Sequence, residues 1–570
     1  MNVKENYEVW KLRATADSDL IEELNSIEGN EYEINDRFYR ELEFGTAGLR
    51  GVIGAGTNRM NVYTVGRATQ GLSDYVNSKF SNGSAAIAYD SRIKSDLFAR
   101  KAASVFAANG IKVYIYKELM PTPMLSYAVR QLGCSTGIVV TASHNPSKYN
   151  GYKAYGPDGC QLNIEASAKV LEFVNKVDFF EGIKEIDFDE GVNSGMINFI
   201  GDDLINRYLD DVKSVSLSSD ICKSSDLSVV YSPLYGTGNK PVRAILDKIG
   251  IKNVTVVPSQ EKPNGNFPEA PFPNPEIREA FKCSLELAKE VKPDLLLATD
   301  PDCDRVGIAV KNGDDYVLMS GNEVGALLLN YILERRTELQ NLPRDPIAVK
   351  TIVSTDICEK IAAKYGVKLV NVLTGFKFIG DQVNRLEANG EEDRFIFGFE
   401  ESYGYLSGPF VRDKDAVVAS MLICEMTSYY KSKGLNLLEQ YHNIEKEFGF
   451  FVNVQKSFVF EGQEGMIHMA ELMNKFREEK PADVAGSKTV EVSDYKKSTA
   501  LDIVNGKTEK IDLPKSDVLS FRFENGCKAI IRPSGTEPKI KLYISTVADT
   551  KEKATEIAAK IEEHYSKEMA

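Results

Sequence analysis

The segment TASHNPSKYNGYKAYGPDG, residues 141–159, follows an apolar run and places Ser143 in a loop rich in Asn, Pro, Gly and Lys. A serine there can project its hydroxyl into a cleft, where an activating partner makes it a nucleophile. The alternative is a turn serine that bonds its own backbone. His144 is adjacent, and neighbours in sequence rarely orient as nucleophile and base, so a Ser-His-Asp triad is disfavoured. Lys153 is either a solvated charge or, with a lowered pKa, the source of a proton.

A second segment, DPDCDR, places Asp300, Asp302 and Asp304 at alternate positions after another apolar run. Three carboxylates this close repel one another unless a cation neutralises them, and hard oxygen ligands suit Mg²⁺ or Ca²⁺. An EF-hand is excluded, because its obligatory Gly and Glu positions are Arg305 and Lys311 here. An acidic surface turn is the alternative, but the apolar runs on both sides favour a metal site.

A third loop, GFEESYGY at 398–405, presents Glu400, Glu401 and Ser402 after a further apolar run. A carboxylate and a hydroxyl on a glycine-flanked loop can hydrogen-bond the hydroxyls of a sugar. Paired glutamates also occur in glycosidases, but nothing in the sequence fixes a second carboxylate at the distance that hydrolysis requires. A solvated glutamate pair is an equal alternative.

The segment RPSGTEPK, residues 532–539, combines an arginine fork, two hydroxyls and an exposed backbone in one loop. These groups form a candidate phosphate cradle, made of Arg532, Ser534, Gly535 and Thr536. The loop is not a Walker A motif, because no GK[ST] follows it. Three further cations stand on short polar segments and are weak signals alone: Arg50 in GTAGLRG, Lys377 in LTGFK and Lys414 in VRDKD.

Strand-like apolar runs alternate with helix-length segments along most of the chain, which indicates the α/β class. The unalternating Val/Ile/Leu runs are typical of strands buried on both faces, as in a parallel sheet. Three of these strands lead directly into the polar loops at 141, 300 and 400, and ligands of α/β sheets bind at such strand ends. The pattern predicts three similar domains that face one cleft.

The last part of the chain differs from the rest. Residues 485–517 are polar and lysine-rich, which predicts a surface excursion. Two strand-like runs, 518–523 and 528–532, flank an ENG turn, and a helix is predicted from about Lys551. This combination predicts a small α+β domain.

Composition and charge exclude several classes of protein. The net charge of −14 argues against nucleic-acid binding and against a polybasic membrane anchor. The N-terminus has no apolar signal region, and no apolar window is long enough for a transmembrane helix. Eight scattered cysteines without a CxxC pair fit the reducing cytoplasm, where we expect the protein.

In this order, the segments from GTAGLRG at 45 to RPSGTEPK at 539 resemble the α-D-phosphohexomutase superfamily, in particular the phosphoglucomutase/phosphomannomutase family. Within it the chain looks most similar to the phosphoglucomutases. The resemblance implies three similar mixed α/β domains and a C-terminal α+β, TATA-binding-like domain around a central cleft. The expected domains carry the phosphoserine (1–205, with an N-terminal helical extension), the metal (206–320), the sugar loop (321–447) and the phosphate loop (448–570).

The resemblance also implies an activity, the interconversion of glucose 1-phosphate and glucose 6-phosphate through a phosphoserine and glucose 1,6-bisphosphate. It makes Ser143 the phosphoryl carrier and places Mg²⁺ between Ser143 and the three aspartates. Arg50, His144 and Lys153 match residues around the phosphoserine, with Lys153 as general acid/base. The residues implied in substrate binding are Arg305, Lys377, Glu400, Ser402, Lys414, Arg532, Ser534, Gly535 and Thr536.

The sequence leaves alternatives for the sugar substrate and for whether the protein is an enzyme or a binding protein. The sugar loop reads EES and lacks the EMSGH pattern of enzymes that accept both mannose and glucose, which favours glucose. The N-terminal extension resembles a subfamily that includes phosphopentomutases, so a phosphopentomutase or phosphomannomutase is the alternative. A sugar-phosphate binding protein without turnover would need neither the nucleophile nor the metal. We expect small sugar phosphates as partners, no nucleic acid or membrane, and a monomer or weak homo-oligomer.

Overall fold

The computed structural model describes residues 2–45, 48–460, 462–534 and 539–569. It divides into two compact units, each made of two stretches of chain. The first unit comprises Met1–Gly321 and Ile379–Asn436, and the second comprises Asn322–Phe378 and Leu437–Ala570. Within the described residues, no helix has the length and apolarity needed to cross a membrane.

The first unit begins with three short helices that pack beside a mixed sheet of order β1-β5-β4-β2-β3-β6. Strands β4, β2, β3 and β6 run parallel to one another, whereas β5 runs antiparallel to both β1 and β4. The elements of this region are α1 (Val3–Arg13), α2 (Ser18–Ser26), α3 (Glu31–Phe38), β1 (Gly48–Val52), α4 (Val62–Lys79), β2 (Ser84–Tyr89), α5 (Ser95–Ala108), β3 (Lys112–Tyr116), α6 (Thr122–Gln131), β4 (Thr136–Val140), β5 (Tyr149–Tyr155), α7 (Ile164–Val174), α8 (Phe188–Asn193) and β6 (Ile197–Ile200).

The N-terminal helices are joined to the first sheet by an aromatic cluster around Trp10, which is 2% exposed. Asn2 caps α1 in a capping box with Glu5. The Trp10 ring contacts four aromatic rings at centroid distances of 5.4–5.9 Å, those of Phe38, Tyr63, Phe179 and Phe180. The extension therefore shares the core of the first sheet.

A second mixed sheet follows in the first unit, of order β11-β10-β9-β7-β8. Strands β9, β7 and β8 are parallel, and β10 runs antiparallel to β9 and β11. The elements here are α9 (Asp202–Ser214), α10 (Ser219–Ser224), β7 (Ser228–Ser232), α11 (Asn239–Ile249), β8 (Asn253–Val256), α12 (Lys282–Val291), β9 (Leu295–Thr299), β10 (Val306–Asn312) and β11 (Asp315–Met319).

The next stretch of chain passes through both units. In the second unit β12 and β13 pair in parallel, and in the first unit β14 and β15 form an antiparallel pair. The elements are α13 (Gly321–Glu338), β12 (Ile347–Thr351), α14 (Ile357–Lys364), β13 (Lys368–Val372), α15 (Lys377–Glu387), β14 (Phe395–Glu400), β15 (Gly404–Leu406), α16 (Ala416–Ser432) and α17 (Leu437–Phe448).

The C-terminal part of the second unit is an antiparallel sheet of order β16-β23-β22-β21-β18-β19-β20, with β17 paired to β18. The face of α19 that carries Ala554, Ala558, Ile561 and Tyr565 is buried. The elements are β16 (Phe450–Val459), α18 (Gly462–Glu478), β17 (Asp483–Val484), β18 (Ser487–Asp494), β19 (Thr499–Asp502), β20 (Lys507–Lys510), β21 (Leu519–Phe523), β22 (Lys528–Pro533), β23 (Lys539–Ala548) and α19 (Lys551–Met569).

The second unit also contains a buried charge cluster. Asp356 accepts hydrogen bonds from Lys350 Nζ at 2.9 Å and from Lys528 Nζ at 2.9 and 2.8 Å. Lys528 Nζ also donates to the backbone oxygen of Ile352 at 3.1 Å. One carboxylate thus ties strand β22 to the loop that follows β12.

The prediction of the α/β class is confirmed, and the helix predicted from Lys551 begins there. The sheets are mixed, however, because β5 and β10 return antiparallel beside parallel strands. The polar stretch 485–517 contains β18, β19 and β20. All four residues of β20 are exposed, which is why its sequence shows no apolar alternation.

Candidate active site

Three loops of the first unit follow the buried strands β4, β9 and β14, and each holds a residue other than glycine in the left-handed region. These residues are Ser143 (φ 52°), Cys303 (φ 51°) and Tyr403 (φ 64°). Such a conformation costs about 1–3 kcal/mol and persists only where surrounding contacts enforce it. Backbone hydrogen bonds support two of these loops: Thr122 N, at the start of α6, donates to Asp302 O at 2.9 Å, and Val306 N, at the start of β10, donates to Tyr403 O at 3.2 Å.

Ser143 is buried, and its hydroxyl points at the acidic loop, which is the segment DPDCDR at 300–305. Ser143 Oγ donates to Asp300 Oδ2 at 2.7 Å and lies 3.3 Å from His144 Nδ1. The Ser143 amide donates to Thr141 Oγ1 at 2.8 Å. Neighbours in sequence rarely orient as nucleophile and base, but here Ser143 has a left-handed backbone and the two side chains are within hydrogen-bond distance. The arrangement places one hydroxyl beside both a carboxylate and an imidazole.

The three aspartates of DPDCDR form a compact cluster with ligand oxygens within 4.8 Å of one another. All three are buried. Asp300 Oδ1 accepts from the amides of Asp304 at 3.1 Å and Arg305 at 3.0 Å, which fixes the loop. Asp302 Oδ1 and Asp304 Oδ1 are buried and accept no hydrogen bond from any residue that the structure describes.

This donor set fits a hard divalent cation. Buried carboxylate oxygens without hydrogen bonds are costly unless a cation or water satisfies them, and Mg²⁺ prefers oxygen ligands of this kind. Burial, together with the charges of Asp302 and Asp304, raises the pKa of Asp300 well above its usual range. A bound cation would favour the ionised carboxylate instead.

Two lysines contact the three clustered aspartates, Lys153 from strand β5 and Lys414 from the segment before α16. Lys153 Nζ, on β5, donates to Asp302 Oδ2 at 2.7 Å and lies 3.4 Å from Asp304 Oδ2. Burial alone would lower the pKa of Lys153, but Asp302 and Asp304 outweigh it and raise the pKa. The sequence allowed a lowered pKa; the geometry instead keeps this ammonium protonated, as a cation and potential acid.

Lys414 connects the acidic loop with the sugar loop. Its Nζ lies 3.2 Å from Asp304 Oδ2, 3.5 Å from Asp413 Oδ1 and 3.9 Å from Glu400 Oε1. Its stem passes directly over Gly404, where a Cβ would come within 2.1 Å of Lys414 Cδ. Glycine at 404 therefore makes room for this lysine.

The pKa of His144 is shifted by burial and by nearby charges, of which Asp304 opposes the shift. Burial lowers its pKa well below the usual range, and Arg305, Arg50 and Lys153 lower it further. The imidazole is therefore neutral near pH 7 and can accept or donate a proton at the nitrogen that faces Ser143 Oγ. Arg50 is exposed on β1, opposite Gly151 of β5.

The sugar-loop residues lie beside these cations in the first unit. Ser402 Oγ donates to Glu400 Oε1 at 3.3 Å, and Glu400 is buried. Arg305 forms an ion pair with Glu276 from the loop that precedes α12. The structure thus brings together the predicted residues Arg50, Ser143, His144, Lys153, Asp300, Asp302, Asp304, Arg305, Glu400, Ser402 and Lys414 in one unit.

The remaining predicted site residues belong to the second unit. Lys377 begins α15, and burial lowers the pKa of its ammonium. Arg532 is half-buried on β22, paired with Lys541 of β23, and the Ser534 amide donates to Lys539 O at 2.7 Å. Gly535 and Thr536 lie outside the described residues.

Sequence reasoning missed four residues that hydrogen-bond or form ion pairs with residues of the site: Arg92, Asp90, Thr122 and Glu276. Thr122 Oγ1 donates to Asp302 Oδ2 at 2.8 Å, and Thr141 Oγ1 donates to Asp90 Oδ2 at 2.6 Å. The available signal was position, because Asp90 and Arg92 directly follow β2, as the other site loops follow their strands.

Four models of known protein domains match most of the chain. Models of the phosphoglucomutase/phosphomannomutase family match as alpha/beta/alpha domain I at 41–181, domain II at 206–313, domain III at 320–446 and the C-terminal domain at 476–564.

Curated relatives cover a similar span. A phosphoglucomutase of Staphylococcus saprophyticus is 37% identical over 536 residues, which is 94% of this chain and 95% of that protein. One of Staphylococcus haemolyticus is 38% identical over 525 residues, 91% and 93% of the two chains.

Solved structures share the fold at low identity. Parafusin, a phosphoglucomutase from Paramecium, has a TM-score of 0.69 at 19% identity and covers 93% of this chain and 95% of its own. A phosphoglucomutase/phosphomannomutase family protein from Burkholderia thailandensis has a TM-score of 0.67 at 16% identity, with 92% and 96% covered. The domain matches and the curated relatives confirm the resemblance found in the sequence: the chain belongs to the phosphoglucomutase/phosphomannomutase family.

Proposed function

We propose that the protein is a phosphoglucomutase that interconverts glucose 1-phosphate and glucose 6-phosphate. Ser143 carries the transferable phosphoryl group, and glucose 1,6-bisphosphate is the intermediate. The observation that supports this most directly is the 2.7 Å contact of Ser143 Oγ with Asp300, beside two buried carboxylate oxygens that accept no hydrogen bond from the described residues. The staphylococcal relatives, which carry this name, support the choice of glucose.

Mg²⁺ is the proposed metal, held by Asp300, Asp302 and Asp304 together with Ser143. When bound, it neutralises charge on the transferring phosphoryl group. The protein's own groups then supply position and further positive charge, which is most of what phosphoryl transfer requires.

The forward half-reaction moves the phosphoryl group from Ser143 Oγ to the sugar hydroxyl. The P–O bond to serine breaks, a P–O bond to the sugar forms, Ser143 Oγ gains a proton and the sugar hydroxyl loses one. Lys153 Nζ holds a proton beside the acidic cluster and is the proposed general acid/base. His144 is neutral and 3.3 Å from Ser143 Oγ, so it can stabilise the returning hydroxyl. Arg50 adds positive charge near His144.

Substrate recognition divides by chemistry. The Glu400 carboxylate accepts hydrogen bonds from sugar hydroxyls, and the Ser402 hydroxyl can donate to them or accept from them. Arg305 and Lys414 contribute positive charge. In the second unit, a phosphate cradle binds the non-reacting phosphate, with Lys377 as an additional cation. The proposed cradle consists of Arg532, Ser534, Gly535 and Thr536.

We propose four domains, which span residues 1–205, 206–320, 321–447 and 448–570. The protein is proposed to act in the cytoplasm on free sugar phosphates and not to bind nucleic acid. The net charge of −14 supports the absence of nucleic-acid binding. The protein is proposed to be a monomer or weak homo-oligomer, which light scattering after size-exclusion chromatography tests.

The decisive experiment compares Ser143→Ala with Ser135→Ala, a serine just before β4 that is remote from the acidic loop in sequence. We expect Ser143→Ala to reduce turnover of glucose 1-phosphate by on the order of 10⁴-fold or more, and Ser135→Ala to leave it unchanged. Intact-mass analysis should show one phosphoryl adduct on the wild type and none on Ser143→Ala. Wild-type turnover by Ser143→Ala would refute the proposal, and ligand binding without adduct or turnover would indicate a binding protein.

Specificity is measured separately on glucose, mannose and ribose 1-phosphates. We expect the highest kcat/KM with glucose 1-phosphate. A higher value with either of the other two sugars would replace the proposed substrate while retaining the mechanism.

A further inference from the structure

Arg92 lies buried beneath the Ser143 loop and binds it at four points. Its guanidinium donates through Nη1 to Pro146 O at 2.9 Å and to Tyr149 O at 3.0 Å. Through Nη2 it donates to Ser143 O at 2.5 Å and to Asn145 O. A single side chain thus satisfies four backbone carbonyls over seven consecutive residues.

The opposite side of Arg92 is covered by the loop before α12. The Phe267 ring centroid lies 5.0 Å from Arg92 Cζ, within cation–π range. Gly265 packs so closely that a Cβ there would come within 2.5 Å of Ile93 N and 2.8 Å of Ser91 O. The guanidinium is therefore held between the Ser143 loop and a segment that follows the second sheet's β8.

Asp90 completes the support of the serine. It accepts from Thr141 Oγ1 at 2.6 Å and from the Arg92 amide at 2.9 Å, and Arg92 Nε lies 3.3 Å from Asp90 Oδ2. Thr141 Oγ1 in turn accepts from the Ser143 amide at 2.8 Å. The short segment after β2 therefore holds the Ser143 carbonyl directly, through Arg92, and the Ser143 amide indirectly, through Asp90 and Thr141.

We infer that Arg92 is a positioning residue that holds Ser143 in its left-handed conformation and so aims Oγ at Asp300. A guanidinium suits this task because its five donors have a fixed planar geometry, whereas the lysine ammonium is a point charge that cannot span the four carbonyls. Without the constraint, Ser143 relaxes toward an ordinary backbone conformation, and Oγ moves away from the acidic loop. The inference rests on the proposed phosphoryl transfer at Ser143.

The principal test is Arg92→Lys in the full-length protein, assayed with glucose 1-phosphate at saturating Mg²⁺. Displacement of a reacting atom by about 1 Å costs on the order of 10²-fold in rate, so we expect kcat to fall by roughly 10- to 100-fold. KM should change less than about threefold, because Arg92 contacts the loop backbone, Phe267 and Asp90, and none of these is a proposed substrate-binding group. A general loss of folded protein would instead lower the active fraction and the transition temperature together.

Arg67→Lys is the matched control. Arg67 Nε also donates to a backbone carbonyl, Val177 O at 2.9 Å, and its guanidinium stacks on the Phe179 ring at 4.3 Å. Among the residues that the structure describes, its hydrogen bonds and ring contact go to Val177, Glu41 and Phe179, which lie outside the Ser143 loop. We expect Arg67→Lys to lower the transition temperature and to leave kcat unchanged.

Chemical rescue separates positioning from bulk stability. Guanidinium ion added at millimolar concentration to Arg92→Ala should restore part of kcat, whereas the same concentration of sodium should not. If the Arg92 variants do not fold, Phe267→Leu decides, because it loosens the guanidinium while leaving Arg92 in place, and we expect kcat to fall severalfold.

The outcomes separate this inference from the proposed function. A wild type without turnover overturns the proposed function. An active wild type with unchanged kcat in Arg92→Lys, or unchanged kcat in Phe267→Leu where the Arg92 variants do not fold, overturns the positioning role. A change confined to KM also overturns it, because the loop would then serve binding.

Discussion

Replacing Lys528 by methionine probes the buried charge cluster of the second unit. Two ammonium groups, those of Lys350 and Lys528, share the buried carboxylate of Asp356, and the more exposed carboxylate of Glu359 lies 3.9 Å from Lys350 Nζ. Their side chains and that of Asp356 are 0%, 9% and 10% exposed. Because one carboxylate cannot neutralise two buried lysines, the folded protein disfavours one of the two positive charges.

The structure gives the size and sign of the effect. Burial lowers the pKa of Lys528 from 10.5 to about 8; Asp356 opposes this shift, and Lys350 and Arg522 add to it. Between these pH values the unfolded chain holds more protons on this lysine than the folded protein, so the free energy of unfolding rises with pH. The full contribution is roughly 3 kcal/mol, at about 1.4 kcal/mol for each unit of pKa, and it is absent below pH 8.

The assay uses Cys527, the buried thiol next to Lys528 on the chain. The rate at which a thiol reagent labels Cys527 in the native full-length protein reports how often β22 opens. Comparing wild type with Lys528→Met at each pH cancels the intrinsic reactivity of the thiol. From pH 7 to pH 9.5 we expect labelling of the wild type to slow by about 30-fold relative to the variant, equivalent to roughly 2 kcal/mol.

Lys456→Met is the control, because Lys456 lies on β16 of the same sheet with its side chain 39% exposed, paired with Glu562. It should show no such pH-dependent change relative to the wild type. If the ratio for Lys528→Met does not vary with pH, or varies in the opposite direction, Lys528 is not the titrating group and the charge argument fails.

Asp302→Asn removes one proposed ligand carboxylate, and we expect the Mg²⁺ concentration for half-maximal activity to rise at least about tenfold after treatment with EDTA; an unchanged metal titration would contradict the assignment. Gly404→Ala places a Cβ 2.1 Å from Lys414 Cδ, which displaces the ammonium from Asp304, so kcat/KM should fall by roughly tenfold or more. Wild-type kcat/KM would show that the position of Lys414 is irrelevant. Trp10→Ala removes a buried aromatic side chain and should lower the free energy of unfolding by about 3–5 kcal/mol. Calorimetry should therefore show a lower transition temperature, whereas KM should not change.

The sequence predicted the strands that lead to the site, because unbroken apolar runs mark strands buried on both faces. β4 and β9 are buried at every position, and each is followed by the loop that was expected to carry chemistry. Strand direction could not be predicted in the same way. β5 and β10 are also largely buried, and only their pairing partners make them antiparallel.

The candidate site was predictable where side-chain type defines a role, and less so where geometry does. Three aspartates at alternate positions predict a cation site, and the structure places their oxygens within 4.8 Å of one another. The contact between Ser143 and His144 depends on a positive φ, and the role of Arg92 depends on four carbonyls that no spacing rule brings together. A residue that binds backbone carbonyls is hard to predict from sequence, because every residue type carries the same carbonyl group.

The second unit consists of two stretches that are far apart in the sequence, and this has a consequence for folding during synthesis. Asp356 and Lys528 are separated by 172 residues, which a ribosome adds in on the order of ten to thirty seconds. During that interval Lys350 and Asp356 have emerged while the strand that completes their cluster has not been made. The stretch 322–378 must therefore wait for its partner, whereas most of the first unit is already complete. Slowing elongation after residue 378 should prolong the exposure of that stretch to chaperones and proteases.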